Sequence, residues 1–320
     1  MSTLRSMARL AAMVRYFLTR FATAIPTLFI IVTITFFAMR AAPGGPFDEE
    51  RALPPEILSN LQNAYGLDQP VWRQYVRYLT ALAHGDFGPS FKYKDFTVTE
   101  LIAQGFPVTL KLGSCATAVA LLLGIPFGVV AALTHNGVLD RVAISLAVLG
   151  VAVPAFVVLP ALVLLFSIHL RWLPVAGWEP GSLKDIILPV VALALPPFAF
   201  IARLTRASML EVLHAPFIRM ARAKGLPLRV VILRHALRPA LIPTAGFLVP
   251  AVAGVMTGSL VVETIAELPG IGRYLVQGAV NRDYTLVLGV VIVYSAMLIG
   301  MGLVVDLLYA WLDPRVRVTR

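Results

Sequence analysis

The sequence predicts an all-α integral membrane protein with six membrane-spanning helices, and three observations carry that prediction. Mean hydropathy is +0.83 over 320 residues, with 58% hydrophobic and 14% charged positions. A soluble domain with so apolar a surface would aggregate in water. Six stretches carry no Asp, Glu, Lys, Arg or His: 21–39, 112–134, 142–168, 186–202, 240–262 and 284–305. Each has about the length that crosses a hydrocarbon core of roughly 30 Å at 1.5 Å per residue. Helices are implied rather than a barrel, because barrel strands are about ten residues of alternating polarity.

Taken in order, residues 1–20 form a basic segment in which Arg5, Arg9, Arg15 and Arg20 surround Leu10, Met13, Phe17 and Leu18. Two readings stand: an amphipathic helix on the membrane face with snorkelling arginines, or a frayed tail that only sets orientation. The apolar run that follows, 21–39, exceeds the roughly 7–15 residues of a signal-peptide core, and five more runs come after it. It is therefore expected to be an uncleaved first span. Residues 40–104 are turn-rich at both ends, with helix formers from Ile57 toward Ala83, and form an outer subdomain expected to pack on the span ends. Its aromatics, Trp72, Tyr75, Tyr78, Phe87, Phe91, Tyr93 and Phe96, are candidates for headgroup anchors or for a partner surface.

A permease domain is expected over 105–306, holding the other five spans, with a tail at 307–320. The third apolar run is long enough to tilt or kink, and the fourth, 186–202, is the shortest. Prolines recur within the runs at 26, 126, 154, 160, 189, 196, 197, 243 and 250. Each removes a backbone donor, which a bilayer tolerates where neighbours or a water-filled cavity satisfy the freed carbonyl. The single cysteine, Cys115, lies in the second run, where it is expected to be a packing thiol.

Orientation follows from the basic residues. With both termini in the cytoplasm, the inner segments 1–20, 135–141, 203–239 and 306–320 hold sixteen Lys and Arg. The longer outer segments hold ten, six of them in one long loop that counts for little, and Lys111 lies at a boundary. A positive-inside membrane protein is basic in any case, so the net charge of +10 calls for no nucleic-acid partner.

The inner segment 203–239 is unusual for its setting: Arg222, Lys224, Arg229, Arg234 and Arg238 crowd into ARAKGLPLRVVILRHALRP without one acid. Pro216 suits a first helical turn, with Phe217, Ile218, Met220 and Ala221 giving an apolar side; Gly225 suits a left-handed helix end; Pro227 restarts a helix that Pro239 is expected to end. The pattern is helix, glycine turn, helix. Such an elbow could lie on anionic lipid or dock on a soluble partner, whose surface approaches closely where glycine has no side chain. A DNA-reading role is disfavoured, since a helix tethered between two spans has little freedom to enter a groove.

The chemistry of the rest is defined by what is missing. No charge within the spans offers a buried proton relay, so an ion-coupled secondary transporter would need Lys111, His169 or Asp306 to lie deeper than drawn. No Gly-Lys dipeptide occurs, so the phosphate-cradling loop of an ATPase is absent. The histidines show no metal-ligand spacing and no GxSxG occurs, so no catalytic, cofactor or metal-binding residues are assigned.

RMARAKGLPLRVVILRHALRPALIP resembles the cytoplasmic coupling loop of permease subunits of binding-protein-dependent ABC importers, in the peptide-permease branch. AIPTLF from Ala24, LPPEI, HGDFGPSFKYKDF, GSLVVETIAELPGIG from Gly258, NRDY from Asn281 and the closing DPR resemble the oligopeptide members. The resemblance covers nearly everything from about residue 15 onward. It implies a type I importer permease fold in the inner membrane, with Ala221, Arg222, Ala223, Lys224, Gly225, Leu226, Arg234 and His235 in the loop that engages an ATPase. The best-known form of that motif begins Glu-Ala-Ala, where this chain has Met220, Ala221, Arg222. The partners implied are a second homologous permease, two ATP-binding subunits that use ATP and Mg, an extracytoplasmic peptide-binding protein, an oligopeptide substrate and membrane lipid. Dipeptide and nickel importers are the nearest alternatives. In ELPGIGRY the turn residues Pro269, Gly270 and Gly272 stand near Glu263, Glu267 and Asp283. That segment either joins two helices as a re-entrant turn or, as the resemblance implies, lies near the outer mouth of the path.

Overall fold

The computed structural model describes residues 2–41, 66–93 and 95–312, excepting the side chains of 2–18, 139 and 306–312. The LPPEI and DPR phrases, the Asp306 side chain and the amphipathic pattern of the first eighteen residues lie outside that description. The described chain is helical apart from connections and one bridge between Pro89 and Thr97. In order come α1 (Ser2–Ala41), α2 (Val71–Ala83), α3 (Val98–Leu133), α4 (Val138–Ala152) and α5 (Ala155–Leu162, continued by a π-helical stretch Val163–His169). Then follow α6 (Lys184–Leu213), α7 (Pro216–Ala223) and α8, which runs Leu228–Val230, π-helical Val231–Ala236 and Leu237–Ala240. The last three are α9 (Ile242–Ile265), α10 (Ile271–Val280) and α11 (Tyr284–Leu312).

Among the described residues five segments are long and apolar enough to cross a membrane: Thr19–Ala41, Val98–Leu133, Lys184–Leu213, Ile242–Ile265 and Tyr284–Val305. The third expected span is a bent pair instead, with Asp140–Ala152 and Ala155–His169 meeting at 105°, so the spans number six if the pair counts as one. Pro154 is the cause. It has no N–H to continue α4, and its ring pushes Val153 into extended backbone, φ −100° and ψ 117°. The other helical prolines, such as Pro126, Pro189 and the Pro196–Pro197 pair, stay within unbroken helices.

The shortest expected span becomes the hub. Helix α6 is 30 residues long, and 61% of its most apolar window is buried, against 11% for α1. It lies along α3 where Gly124 and Gly128 let the two backbones close up: an added Cβ at Gly128 would stand 2.5 Å from Ala202 O and 2.8 Å from Thr205 Cβ. Small residues four apart allow the dispersion contacts that hold helices together in lipid, where the hydrophobic effect does not. Leu193 and Ile201 of α6 join Leu112 of α3, Leu159 of α5 and Leu286 of α11 in one core, against which Cys115 packs half-buried.

Helix α1 touches this body chiefly through Val32 and Phe36, which meet Tyr78 of α2 and Leu288 and Ile292 of α11. Phe21, Ile25, Phe29 and Ile34 are exposed, as a lipid-facing helix requires. Helix α2 lies on α1 and α11 through Tyr75, Tyr78, Leu79 and Leu82. Of the seven aromatics considered as anchors, Trp72 and Phe96 are exposed; Tyr75, Tyr78, Phe87, Phe91 and Tyr93 turn into the packing instead. Helix α3 starts at Val98 with a capping box between Thr97 and Glu100, so the 104/105 division falls inside a helix. The two ends of the bundle are thereby distinct. One, the elbow end, carries α7 and α8; the other, the crown end, carries α2 and α10.

Candidate functional site

At the elbow end, Ala215 takes extended backbone (ψ 147°) to leave α6, and Pro216 opens α7. Helix α7 stops at Gly225, whose φ of +75° is open to glycine at little cost. Its N–H donates to Arg222 O at 2.9 Å, closing the turn before Pro227 leads into α8. An added Cβ at Gly225 would meet nothing within 4 Å. The turn thus favours glycine, while the space beside it is free for another surface.

The inner face of the elbow is apolar. Ile218 and Ala221 of α7 and Val231, Ile232, Ala236 and Ala240 of α8 pack with Ala132 of α3 and Met209 of α6. Beneath it, Thr205 and Thr244 hydroxyls lie 3.2 Å apart between α6 and α9. Asp140 accepts from Arg206 Nε and, at 2.7 Å, from Nη2, tying the α3–α4 turn to α6. Asn136 N donates to the same carboxylate at 2.9 Å.

Of the residues expected to dock, Arg222, Ala223, Lys224, Gly225, Leu226 and Arg234 are exposed, and His235 is half-buried. Ala221 instead faces inward, because it follows Ile218 by three residues on one side of α7. Phe217 and Met220, expected on that apolar side, point outward. Together with Leu226, Leu228 and Leu233 they leave large hydrophobic side chains exposed, Met220 at 60% and Leu228 at 56%. The four positions span a broad arc of α7, and it is the packing against α3 and α6 that buries the 218/221 edge and leaves the 217/220 edge outside.

At the crown end the Glu263, Pro269, Gly270, Gly272 group comes together in the corner between α9 and α10. Glu263, Gly270 and Gly272 are buried and Pro269 is half-buried. Glu263 Oε2 accepts from Gly272 N at 2.8 Å and Arg273 N at 3.3 Å, while Thr109 Oγ1 of α3 accepts from Ile271 N at 3.0 Å. These satisfy three of the first backbone N–H groups of α10. Gly272 has no alternative, since a Cβ there would lie 2.6 Å from the carboxylate. The expected turn runs to Gly270, and the residues after it form a capped helix.

Lys111 lies at the crown end, its Nζ 5.5 Å from the Trp178 ring. Burial pushes the Tyr93 and Tyr274 hydroxyls above the usual tyrosine range, so both are neutral near pH 7. Among the described residues no three His, Cys, Asp or Glu side chains are grouped as metal ligands would be.

The chain matches the family described as binding-protein-dependent transport system inner membrane component over residues 124–318, and that family's N-terminal region over 13–113. An oligopeptide transport system permease protein of Salmonella typhimurium (strain LT2) is 55% identical over 305 residues, 95% of this chain and 100% of that one. A dipeptide transport system permease protein of Bacillus subtilis (strain 168) is 44% identical over 306 residues, 96% of this chain and 99% of that one. Among solved structures, the MetNI methionine ABC transporter in inward-facing conformations aligns with a TM-score of 0.52 at 19% identity, over 67% of this chain and 96% of that one.

Proposed function

The chain belongs to the inner membrane components of binding-protein-dependent transport systems, and from that membership we propose that it carries oligopeptides across the inner membrane, driven by ATPases on separate subunits. It is a multi-pass permease subunit of an ABC importer and not itself an enzyme. The observation that carries the substrate is the 55% identity to oligopeptide permeases along their full length. A dipeptide substrate is the second reading, favoured by the 44% identity to a dipeptide permease.

In this reading the elbow end, with both termini, lies in the cytoplasm and the crown end outside. A second, homologous permease completes the path, two ATP-binding subunits dock inside, and an extracytoplasmic binding protein delivers peptide to the crown. An ATPase surface closes over Gly225, flanked by Phe217, Met220, Leu226 and Leu228, where the turn leaves room and the exposed apolar side chains gain by burial. ATP binding draws the ATPases together and moves the elbow. Because Ile218, Val231 and Ile232 are seated on Ala132 and Met209, displacement of the elbow displaces α3 and α6 with it. The permeases then rock between inward and outward states, and hydrolysis resets them. Exposed apolar faces of α1 and α4 meet membrane lipid.

The test is purification of the tagged chain in mild detergent, identification of what accompanies it, and peptide uptake by the reconstituted assembly. Co-purifying ATPases, a second six-span permease and ATP-dependent oligopeptide uptake are expected. A lone chain without ATPase activity would return the basic elbow to lipid binding, and uptake confined to dipeptides would favour the second reading.

A further inference from the structure

Helix α10 is bracketed by two fully buried carboxylates. At its start, Glu263 in the last turn of α9 takes the N–H groups of Gly272 and Arg273. Just beyond its end, Asp283 N donates to Gly278 O at 2.8 Å, and the Asp283 side chain faces two ways. Its Oδ1 accepts from Thr285 Oγ1 at 3.1 Å and Leu286 N at 3.2 Å, capping α11. Its Oδ2 accepts from Ser90 Oγ, from Phe91 N at 3.1 Å and from Lys92 N at 3.3 Å, all in the loop between α2 and α3.

That loop also grips the middle of α10. The Tyr93 hydroxyl donates to Gln277 Oε1 at 2.5 Å, and its ring meets Tyr274 edge-on with centroids 6.0 Å apart. Both corners beside α10 contain a non-glycine residue in the left-handed region, Glu267 (φ 55°) and Arg282 (φ 56°). Such corners persist only where surrounding contacts over-determine them. Moving α10 away from α9 would bare Glu263, and moving the loop away from α10 would bare Asp283. A buried carboxylate without its donors is costly, so loop, helix and the last turn of α9 are held as one body.

We propose that α10 is a rigid strut through which a substrate-delivering protein seated on the crown loop acts on α9, with Glu263 and Asp283 as the positioning residues at its two ends. The inference rests on the reading that this chain serves a binding-protein-dependent importer. Helix α9 contacts α6 through the Thr205–Thr244 pair at its far end, so a push at the crown reaches the base of the elbow along one helix.

The experiment uses the whole reconstituted importer. ATPase rate is measured against the concentration of peptide-loaded binding protein for wild type, Ser90→Ala, Asp283→Asn and Glu263→Gln. Each substitution is expected to lower the maximal stimulation by about threefold or more, the size of shift that altered coupling between sites produces. The unstimulated rate stays at the wild-type value, because ATPase assembly is untouched, and for Glu263→Gln, which lies outside the docking loop, so does the half-saturating concentration. Undiminished maximal stimulation in Ser90→Ala and Glu263→Gln would overturn the strut, and so would an equal fall in the unstimulated rate, which marks a folding role. If Asp283→Asn fails to assemble, Ser90→Ala decides, since it removes one donor and leaves the carboxylate its backbone partners. A wild-type importer that loaded binding protein does not stimulate would overturn the functional reading itself, and the strut with it.

Discussion

Arg206 reaches across from α6 to grip Asp140, a carboxylate only 2% exposed at the first turn of α4. The pair fixes the α3–α4 turn to the helix on which the elbow stands. Removing either partner leaves the other poorly compensated, at a cost of roughly 2–4 kcal/mol. Asp140→Ala and Arg206→Ala are therefore each expected to lower the thermal midpoint of the detergent-solubilised protein. The double substitution should be no worse than the poorer single one; strictly additive losses would show that the two side chains act separately.

Gly225→Trp separates folding from coupling. The added side chain meets no atom of this chain, and the left-handed backbone adds only about 1 kcal/mol of strain. Normal membrane insertion with loss of peptide-stimulated ATP hydrolysis is expected. Unchanged peptide uptake at equal expression would remove the elbow from the docking surface.

The two faces of α7 answer to different assays. Met220→Ser, on the exposed face, is expected to leave stability within about 0.5 kcal/mol of wild type while reducing ATPase co-purification. Ile218→Ala, with no exposure, should cost about 2–5 kcal/mol by opening a cavity under the elbow. Equal destabilisation by both would contradict the division of faces.

Glycines within the spans should differ sharply. Gly128→Val forces a side chain into Ala202 O and Thr205, an overpacking expected to cost about 1–3 kcal/mol and to reduce the yield of folded protein. Gly254→Ala on α9 meets nothing within 4 Å and should fold normally. Comparable yields of the two variants would mean that α3 and α6 do not pack as closely as described.

Much of the architecture was legible because the hydrocarbon core imposes a length on every span. The helix–glycine–helix elbow was legible for a similar reason: Pro216, Gly225 and Pro227 each demand a particular backbone state. What escaped was long-range. Composition allowed a kink in 142–168 but could not single out Pro154, where the helix breaks, from Pro160, which stays inside one. The Asp140–Arg206 pair joins residues 66 apart, and Ser90 meets Asp283 across 193. Glu263 was singled out beside its glycines, but its role as a cap on the backbone of Gly272 and Arg273 was not, because nothing local shows which N–H groups a carboxylate will meet.

Phe36 of the first span is sealed by Leu288 and Ile292 of the last. A ribosome adding 5–20 residues per second needs roughly 10 to 50 s to synthesise the chain between them. Through that interval the opening helix waits in the bilayer without its final neighbours, sustained by its own apolarity. Biogenesis of this subunit is thus completed at its carboxyl end, and a chain truncated before Leu288 would present an orphaned first helix to the quality-control proteases of the membrane.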